Sequence, residues 1–473
     1  MTTFAPPRVA PPRVASHHRR RSAHRAPAWW RDVSGLLAWA SALIVLVWWI
    51  HGGGLQDLTG TTATALTTTG RLTGLVAADL MLVQVALMAR IPFVERSYGQ
   101  VELAGRHRLV GFWSFWLMIA HVVLTVLGYA GAAATGVLAT GWDMLLTFPG
   151  MLIAWAGTGL MLAVVATSIR AARRRLRYES WHLIHLYGYL GAGLAVPHMV
   201  WTGADFTRSP LAQAYWWTVW ALVMAAVLVF RVALPVWRSR RHGLVVERVI
   251  REGPDVVSVH LRGRDLLRLP VEAGSYFVWR FAGEGWTRGH PISLSAAPTS
   301  DRLRITARVA GDGTSRMARL TRGTRVTFEG PYGRLTQAAR TQPGVVLLGS
   351  GIGITPMRAL LEGLTYAPGH ATLIHRARSD ADLVLRAELH EIAARRGAEV
   401  IELPGPRVQG RRSWLPQSAA HLDDAAALAQ LVPDIAGRDV YICGPDEWIQ
   451  AARTAAVRAG VPSAQIHTER FSV

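Results

Sequence analysis

The sequence predicts a multi-domain chain: an all-α bundle of six membrane spans, followed by a small antiparallel β-barrel and an α/β domain. Three observations predict it. Six apolar runs of bilayer length fill the first half; after Arg241 the pattern changes to short alternating strands with close turns; from about residue 341 an apolar strand, a glycine turn and a helix follow one another. A length of 473 residues suits two or three domains rather than one core. Of these, 51% are hydrophobic and 17% charged, against roughly 25% charged in an ordinary soluble domain, which excludes a disordered or fibrous chain. The formal net charge is +20, and all 51 basic residues are arginine. They are not gathered beside aromatics on one basic module, which argues against nucleic acid as a partner. They fall instead at the ends of the apolar runs. A single cysteine, Cys443, excludes a disulfide framework, a CxxC redox pair, a zinc finger and a cysteine-ligated iron–sulfur cluster.

A span needs about 20 apolar residues at 1.5 Å each. Six runs qualify, at about 33–50, 73–91, 109–131, 148–169, 182–202 and 211–234. The N-terminal tail is basic (Arg8, Arg13, Arg19, Arg20, Arg21, Arg25), as are 170–177 and 238–241, whereas loops 51–70 and 132–147 hold no basic residue. The positive-inside rule then puts the N-terminus, the second and fourth loops and the C-terminal half in the cytoplasm, for a multi-pass protein of the cell membrane. Residues 1–28 are rich in Pro, Arg and His and read as a disordered basic cytoplasmic tail; the apolar run behind them is too long for a signal peptide. The expected divisions are the tail 1–28, a six-span domain 29–238, a barrel 242–340 and an α/β domain 341–473.

Ionisable residues within spans are costly and point to function. The third span carries His107 at its cytoplasmic start and His121 deeper in; the fifth carries His182 and His185 near its start and His198 further along. These two spans run in the same direction, so their early histidines share one depth and their late ones another. Separations of 14 (107 to 121) and 13 (185 to 198) residues correspond to roughly 21 and 20 Å along an ideal helix. Two haems, each gripped by one imidazole from each span, would stack across the bilayer, because neutral imidazole is a standard axial ligand of haem iron. One piece of geometry resists. Fourteen residues return to within about 40° of the same helix face, but thirteen land about 140° away. The fifth span is therefore expected to be distorted, with Pro197 and glycines 188, 191 and 193 supplying the means. His182 is an alternative to His185, no better phased; His17, His18, His24 and His51 read as surface residues.

With "HRLVGFWSFWLMIAH" and "YESWHLIHLYGYLGAGLAVPH", spans three and five resemble the ferric reductase and NADPH oxidase superfamily, whose six-helix bis-haem core is fused to a ferredoxin-reductase-like flavin module. The resemblance covers residues from about 75 onward. It implies His107 with His185 at a cytoplasmic-side haem b and His121 with His198 at an outer haem b.

Further segments extend the likeness. "RGHPISLSAAP" is similar to the superfamily's flavin-binding segment, which implies that His290, Pro291, Ile292 and Ser293 pass beside the isoalloxazine of FAD, with the Ser293 hydroxyl near N5 and Arg288 at a flavin phosphate. Isoleucine stands at 292 where an aromatic is usual. "RVAGDGT" resembles the diphosphate-side segment, where Arg308 supplies a cation, Gly311 close backbone approach and Thr314 a hydroxyl. Gly330-Pro331-Tyr332-Gly333 resembles the turn that ends the barrel. In "GVVLLGSGIGITPMRALLEGL", Gly349, Gly351 and Gly353 let backbone N–H groups reach a diphosphate, and the helix opening near Thr355 and Pro356 favours its negative charge. Arg376 and Arg378 close the next strand and would hold a 2′-phosphate, favouring NADPH with NADH left open. By the same likeness Cys443, Gly444 and Pro445 lie beside the nicotinamide, although Cys443 reads equally as a small buried residue. Glu469 and Phe471 resemble C-terminal residues that approach the flavin, where an aromatic shields the ring.

The expectation is an NAD(P)H-dependent transmembrane oxidoreductase that passes electrons through FAD and two haems to a small-molecule acceptor outside, either oxygen (giving superoxide) or ferric iron. Delivery to a quinone or a partner protein is an alternative, because outer-sphere reduction requires no acid–base residue. A six-span channel or transporter with a nucleotide-sensing domain, or a cytochrome whose flavin half has become a binding module, explains less: the channel leaves the matched histidine depths without a cause.

Overall fold

A computed structural model describes residues 29–470 apart from 177 and 208, so the expected tail 1–28 and Phe471 lie outside the described residues. Among the described residues six helices are long and apolar enough to cross a membrane: α1 (Trp29–His51), α2 (Thr62–Leu87), α3 (Gln100–Ala133), α4 (Met151–Ser168), α5 (Tyr178–Thr202) and α6 (Pro210–His242). Their starts are chemically marked. Thr61 accepts from the Thr64 N–H at the head of α2, and Ser209 accepts from the Ala212 N–H at the head of α6, where Pro210 gives up no needed donor. Helices α3 and α6 extend beyond the expected runs, to Gln100 rather than 109 and to His242 rather than 234. Nothing ends a helix where it leaves hydrocarbon, and the extensions are the polar turns around Glu102, Arg106 and Arg240. Polarity is inverted relative to a water-soluble bundle: Trp39, Trp116, Leu138 and Leu222 are exposed, whereas Thr68, Asp79 and Ser114 are buried. The buried groups bond across helices, the Ser41 hydroxyl meeting both Asp79 and the Tyr215 hydroxyl, and Ser114 donating to the Ala77 carbonyl at 2.9 Å.

The bundle's inner architecture is two close helix pairs, α2 with α3 and α4 with α5. Small residues bring the backbones together. A Cβ on Gly157 of α4 would stand 2.7 Å from the Gly191 carbonyl oxygen of α5, and one on Gly74 of α2 would stand 2.5 Å from the His121 ring of α3. Within α6, Leu228–Ala233 form a π-helical turn between α-helical stretches.

The expected barrel is instead two three-stranded antiparallel sheets: β1 (Val245–Gly253), β2 (Val256–Arg262) and β5 (Arg302–Arg308) in the order β1-β2-β5, and β3 (Tyr276–Phe281), β4 (His290–Ser293) and β6 (Val326–Tyr332) in the order β4-β3-β6. Among the described residues no continuous ladder joins them, only the single bridges Val245–Arg325 and Leu294–Ile305 and a few backbone bonds beside these, such as Val326 N–H to Leu244 and Ser295 N–H to Arg304. The gap opens at β4, which is four residues long and contains Pro291, a residue with no N–H for a ladder. Phe277, Trp279, Leu294, Ile305 and Phe328 fill the space between the sheets.

Beyond lies a five-stranded parallel sheet ordered β11-β10-β7-β8-β9, from β7 (Gly344–Ser350), β8 (Ala371–Arg376), β9 (Glu399–Leu403), β10 (Arg438–Gly444) and β11 (Ile466–Arg470). Helices α7 (Ile354–Gly363), α8 (Arg386–Arg396), α9 (Asp424–Leu431) and α10 (Asp446–Arg458) cover it, and apolar clusters lie on both faces. A charged hub ties the two soluble parts. Arg304 of β5 donates to both oxygens of Glu388 on α8 at 2.9 Å, and Arg358 of α7 donates to Glu388 at 3.0 Å. The membrane part is tied on by Arg238, which donates to the Gly330 carbonyl at 2.6 Å, and by Ser239, bonded to the Phe328 backbone.

Candidate functional site

Four imidazoles pair across the gap between α3 and α5. The His107 and His185 ring centroids are 5.9 Å apart, inclined at 64°; those of His121 and His198 are 6.3 Å apart, inclined at 48°. It is His185 rather than His182 whose ring faces His107. A metal–imidazole bond is about 2 Å and the ligating nitrogen lies about 1 Å from the ring centre, so one metal between two rings separates their centroids by roughly 6 Å.

Hydrogen bonding sets the tautomers. Nδ1 of His107 meets the Gln84 carbonyl at 3.1 Å and Nδ1 of His121 the Gly70 carbonyl at 2.8 Å. A carbonyl only accepts, so in both rings Nδ1 carries the proton and Nε2 keeps its lone pair. Thr202 Oγ1 lies 2.7 Å from Nδ1 of His198 while donating to the His198 carbonyl at 2.7 Å, so it too accepts from the ring. Ser168 Oγ donates to the Val164 carbonyl at 2.7 Å and lies 3.4 Å from Nδ1 of His185, which gives the same result. All four rings therefore offer Nε2 as a ligand atom, oriented by an outer partner as metal-bound imidazoles are.

A continuous cavity of about 3150 Å³ runs from the His107–His185 pair into the soluble half. His182 also stands at its membrane end; Tyr276, Pro291 and Ile292 line it further on, with the Glu469 carboxyl beside Tyr276 and Gly333, and Thr355 and Asp446 line it too. His290 and Arg288 line it as well. Burial, then the charges of Arg288, Arg280 and Arg316, hold the His290 ring below the usual imidazole range and so neutral. Ser293 departs from expectation: its side chain is fully buried behind this wall, with its hydroxyl unpartnered, rather than lining the cavity. Glu469 Oε2 is likewise out of water without a partner. Burial, with Glu95 adding and Arg334 opposing, pushes the Glu469 carboxyl up to about 8.

The diphosphate-side segment lines the cavity through Arg308, Gly311 and Thr314, but two of its side chains are engaged. Arg308 is held by Asp255 at 3.1 Å and Asp382 at 3.3 Å. The Thr314 hydroxyl accepts from the N–H groups of Ala310 (2.9 Å) and Gly311 (3.2 Å), so it closes its own turn instead of being offered to a ligand.

In the α/β domain the glycine turn forms at the carboxyl end of β7. Gly351 has φ +56° with open space where a Cβ would point; a Cβ on Gly349 would lie 2.8 Å from Ile354 Cα, and one on Gly353 would collide with the Cys443 carbonyl. Thr355 and Pro356 are buried in the first turn of α7. One expectation fails here, that of Arg376, while Cys443 is the small buried residue of its second reading. Arg376 is buried, and its guanidinium donates to the carbonyls of Ala377, Leu403 (3.1 Å), Gly405 (2.8 Å) and Pro406 (2.9 Å), which leaves it to clamp a loop rather than hold a phosphate. Arg378 is exposed. Cys443 is wholly buried in the apolar core, its thiol pushed up by burial, so this position presents backbone rather than sulfur. Gly444 packs under Trp448, and Pro445 caps α10.

Two groups that the sequence does not single out stand at the junction. Arg90, at the end of the second apolar run, pairs with Glu95 at 2.5 Å and lies 4.2 Å over the Tyr332 ring. Arg231 is a lone charge inside the sixth run, a signal open to reading.

Residues 73–196 match the ferric reductase like transmembrane component family, and residues 347–454 match the oxidoreductase NAD-binding domain family. The chain thus joins a segment similar to ferric-reductase transmembrane components to one similar to oxidoreductase NAD-binding domains. The chain is 32% identical over 184 residues to the ferredoxin reductase component of 3-ketosteroid-9-alpha-monooxygenase from Mycobacterium tuberculosis, covering 38% of this chain and 48% of that protein. It is 26% identical over 152 residues to NADPH oxidase 1 of Mus musculus, covering 31% and 25%. The FAD/NAD-binding domain of nitric oxide dioxygenase from Vibrio cholerae aligns at 24% identity and a TM-score of 0.39, covering 49% of this chain and 99% of that one. The chain thus spans about half the length, or less, of these curated relatives.

Proposed function

We propose that this chain carries electrons across the membrane, from NAD(P)H at the carboxyl ends of the parallel strands, by way of FAD at the 288–293 segment and two b-type haems held by His107–His185 and His121–His198. The acceptor is a one-electron oxidant at the outer end, oxygen or ferric iron. Arginine at the ends of spans argues for a cytoplasmic soluble half. When bound, the flavin supplies the conversion of a two-electron hydride into single electrons, and the porphyrin irons supply one-electron carriage. Everything else is the work of the chain's own residues. The Gln84 and Gly70 carbonyls, Ser168 and Thr202 fix the four rings and keep Nε2 bare. Pro291 and Ile292 present an apolar wall, behind which the buried Ser293 hydroxyl has no hydrogen-bond partner among the described residues. Glu469, beside Tyr276 and Gly333 on the cavity wall, holds a proton at neutral pH. Arg378 is the exposed cation left to favour a 2′-phosphate.

One observation carries the reading: two imidazole pairs at metal-bridging separation, every Nδ1 tied to an acceptor. It is tested on purified, porphyrin-supplemented protein by a pyridine haemochrome assay and a dithionite-reduced minus oxidised spectrum. Low-spin b-type bands at two haems per chain, reducible by NADPH, are expected; a chain without haem overturns the proposal.

A further inference from the structure

Between Pro210 and Trp237 the sixth span holds one charged residue, Arg231. A guanidinium at such depth is costly unless it faces a cavity or a partner. Among the described residues it forms no ion pair. Its Nη1 donates to the Met88 carbonyl at 3.0 Å, which occupies one of five N–H donors. The helix is deformed where Arg231 sits, in the π turn Leu228–Ala233, an irregularity that re-aims side chains and is frequent at functional sites. Neighbouring charges neutralise one another, Arg90 with Glu95 at 2.5 Å and Arg280 with Glu329 at 2.6 Å. Arg231 sits on the cavity wall at the end where His182, His185 and His107 stand, within electrostatic reach of Glu95 but in no close ion pair among the described residues.

We infer that Arg231 binds a carboxylate of the porphyrin held by His107 and His185, pairing with one of its propionates; the inference rests on the bis-histidine haem reading above. A planar fork of donors matches a carboxylate edge. Phosphate is the poorer candidate, because Arg288 of the flavin segment already stands elsewhere on the same cavity. Two consequences follow from charge. Arg231 fixes the rotation of the macrocycle about the axis joining the two imidazoles, and its positive charge favours the reduced form of that carrier over the oxidised one.

The test is a spectroelectrochemical titration of wild type, Arg231→Gln and Arg231→Lys, each also in a His121→Ala background that retains the inner site alone. Wild type should show two haems with separate one-electron midpoints. Arg231→Gln should lower the inner midpoint, shifting its reduction equilibrium about tenfold, which is about 59 mV for one electron; Arg231→Lys should stay within about threefold. Unchanged midpoints and haem content in Arg231→Gln overturn the inference while leaving the electron route intact, whereas a wild-type chain without haem overturns the route itself. NADPH-dependent flavin reduction reports whether each variant is folded. Should Arg231→Gln not fold, the propionate bending band in the resonance Raman spectrum decides: it moves between wild type and Arg231→Lys if Arg231 binds the carboxylate, and an unmoved band refutes it.

Discussion

Gly74 leaves the space that the His121 ring occupies. A Cβ at this position would lie 2.5 Å from Nδ1 and 2.9 Å from both Cε1 and Cγ, against an ordinary contact of 3.4 Å or more. In Gly74→Ala the nearest ring atom must therefore retreat by 3.4 − 2.5 = 0.9 Å. The retreat strains the 2.8 Å bond from Nδ1 to the Gly70 carbonyl, four residues back on the same helix. Helix formation itself is not harmed, since alanine is favoured over glycine by about 1 kcal/mol in a helix interior. The damage falls on the ligand. Loss of an outer partner from a metal-bound histidine typically costs about 10–100-fold in affinity, or about 1.4–2.8 kcal/mol, and a displaced ring should lose at least that. Pyridine haemochrome should fall from two haems per chain toward one, while NADPH-dependent flavin reduction is unaltered. Gly193→Ala on α5 is the control, because a Cβ there meets nothing within 4 Å. If Gly74→Ala keeps both haems and a wild-type spectrum, His121 is not the outer ligand.

Three other expectations follow. His121→Ala should remove the outer haem and leave NADPH reduction of the flavin at the wild-type rate; survival of both haems would break the pairing. Glu469 titrates at about 8 in the folded chain, above its usual 4.5, so between those values the folded state binds a proton that the unfolded state has released, and stability falls as pH rises. Electron transfer out of the flavin should show an alkaline limb near pH 8 that Glu469→Gln abolishes, and an identical pH profile in the variant would exclude the role. Glu388→Ala strips the hub from Arg304 and Arg358, which are 8% and 9% exposed. Removing one partner of a buried pair costs about 3–5 kcal/mol, and the low end applies because Glu388 is 34% exposed. Calorimetry should show a lower Tm. Although burial opposes it, bonding to Arg304 and Arg358 holds the Glu388 carboxyl below its usual range, so this contribution persists above pH 4.5 and is lost as pH falls through the lowered value.

Much of this architecture is legible in the residues because lipid leaves a direct trace in them. A span has a required length and polarity, and histidines stand out inside it. The glycine turn after β7 is equally local: strand, turn and helix follow within twenty residues. Barrel closure is not local. It depends on whether β4 can pair along β5 and β1 along β6, and there the ladders reduce to isolated bridges. Arg376 reads as a surface cation because it ends a strand beside Arg378, but the carbonyls that claim it come from 403–406, nearly thirty residues on. Cys443 reads as a site residue from its tripeptide, while alternation along β10 turns its side chain into the core. Arg231 is visible as a lone charge, yet the π turn that aims it has no sequence signature.

The thirteen-residue step from His185 to His198 shows how packing overrides helical phase. On a straight ideal helix, His185 and His198 face about 140° apart, so only one could meet α3. Both do. Helix α5 is continuous from Tyr178 to Thr202 with Pro197 inside it, and proline has no N–H for the carbonyl four residues back, at Gly193. The turn before His198 is therefore the one with a missing bond. Contacts from α4 act at the same place: a Cβ on Gly150 would stand 2.9 Å from the His198 nitrogen, and Gly157 lies against Gly191. Glycines on α4 thus let the α5 backbone come in close on both sides of the weakened turn, and the rotation needed to aim His198 at His121 accumulates there.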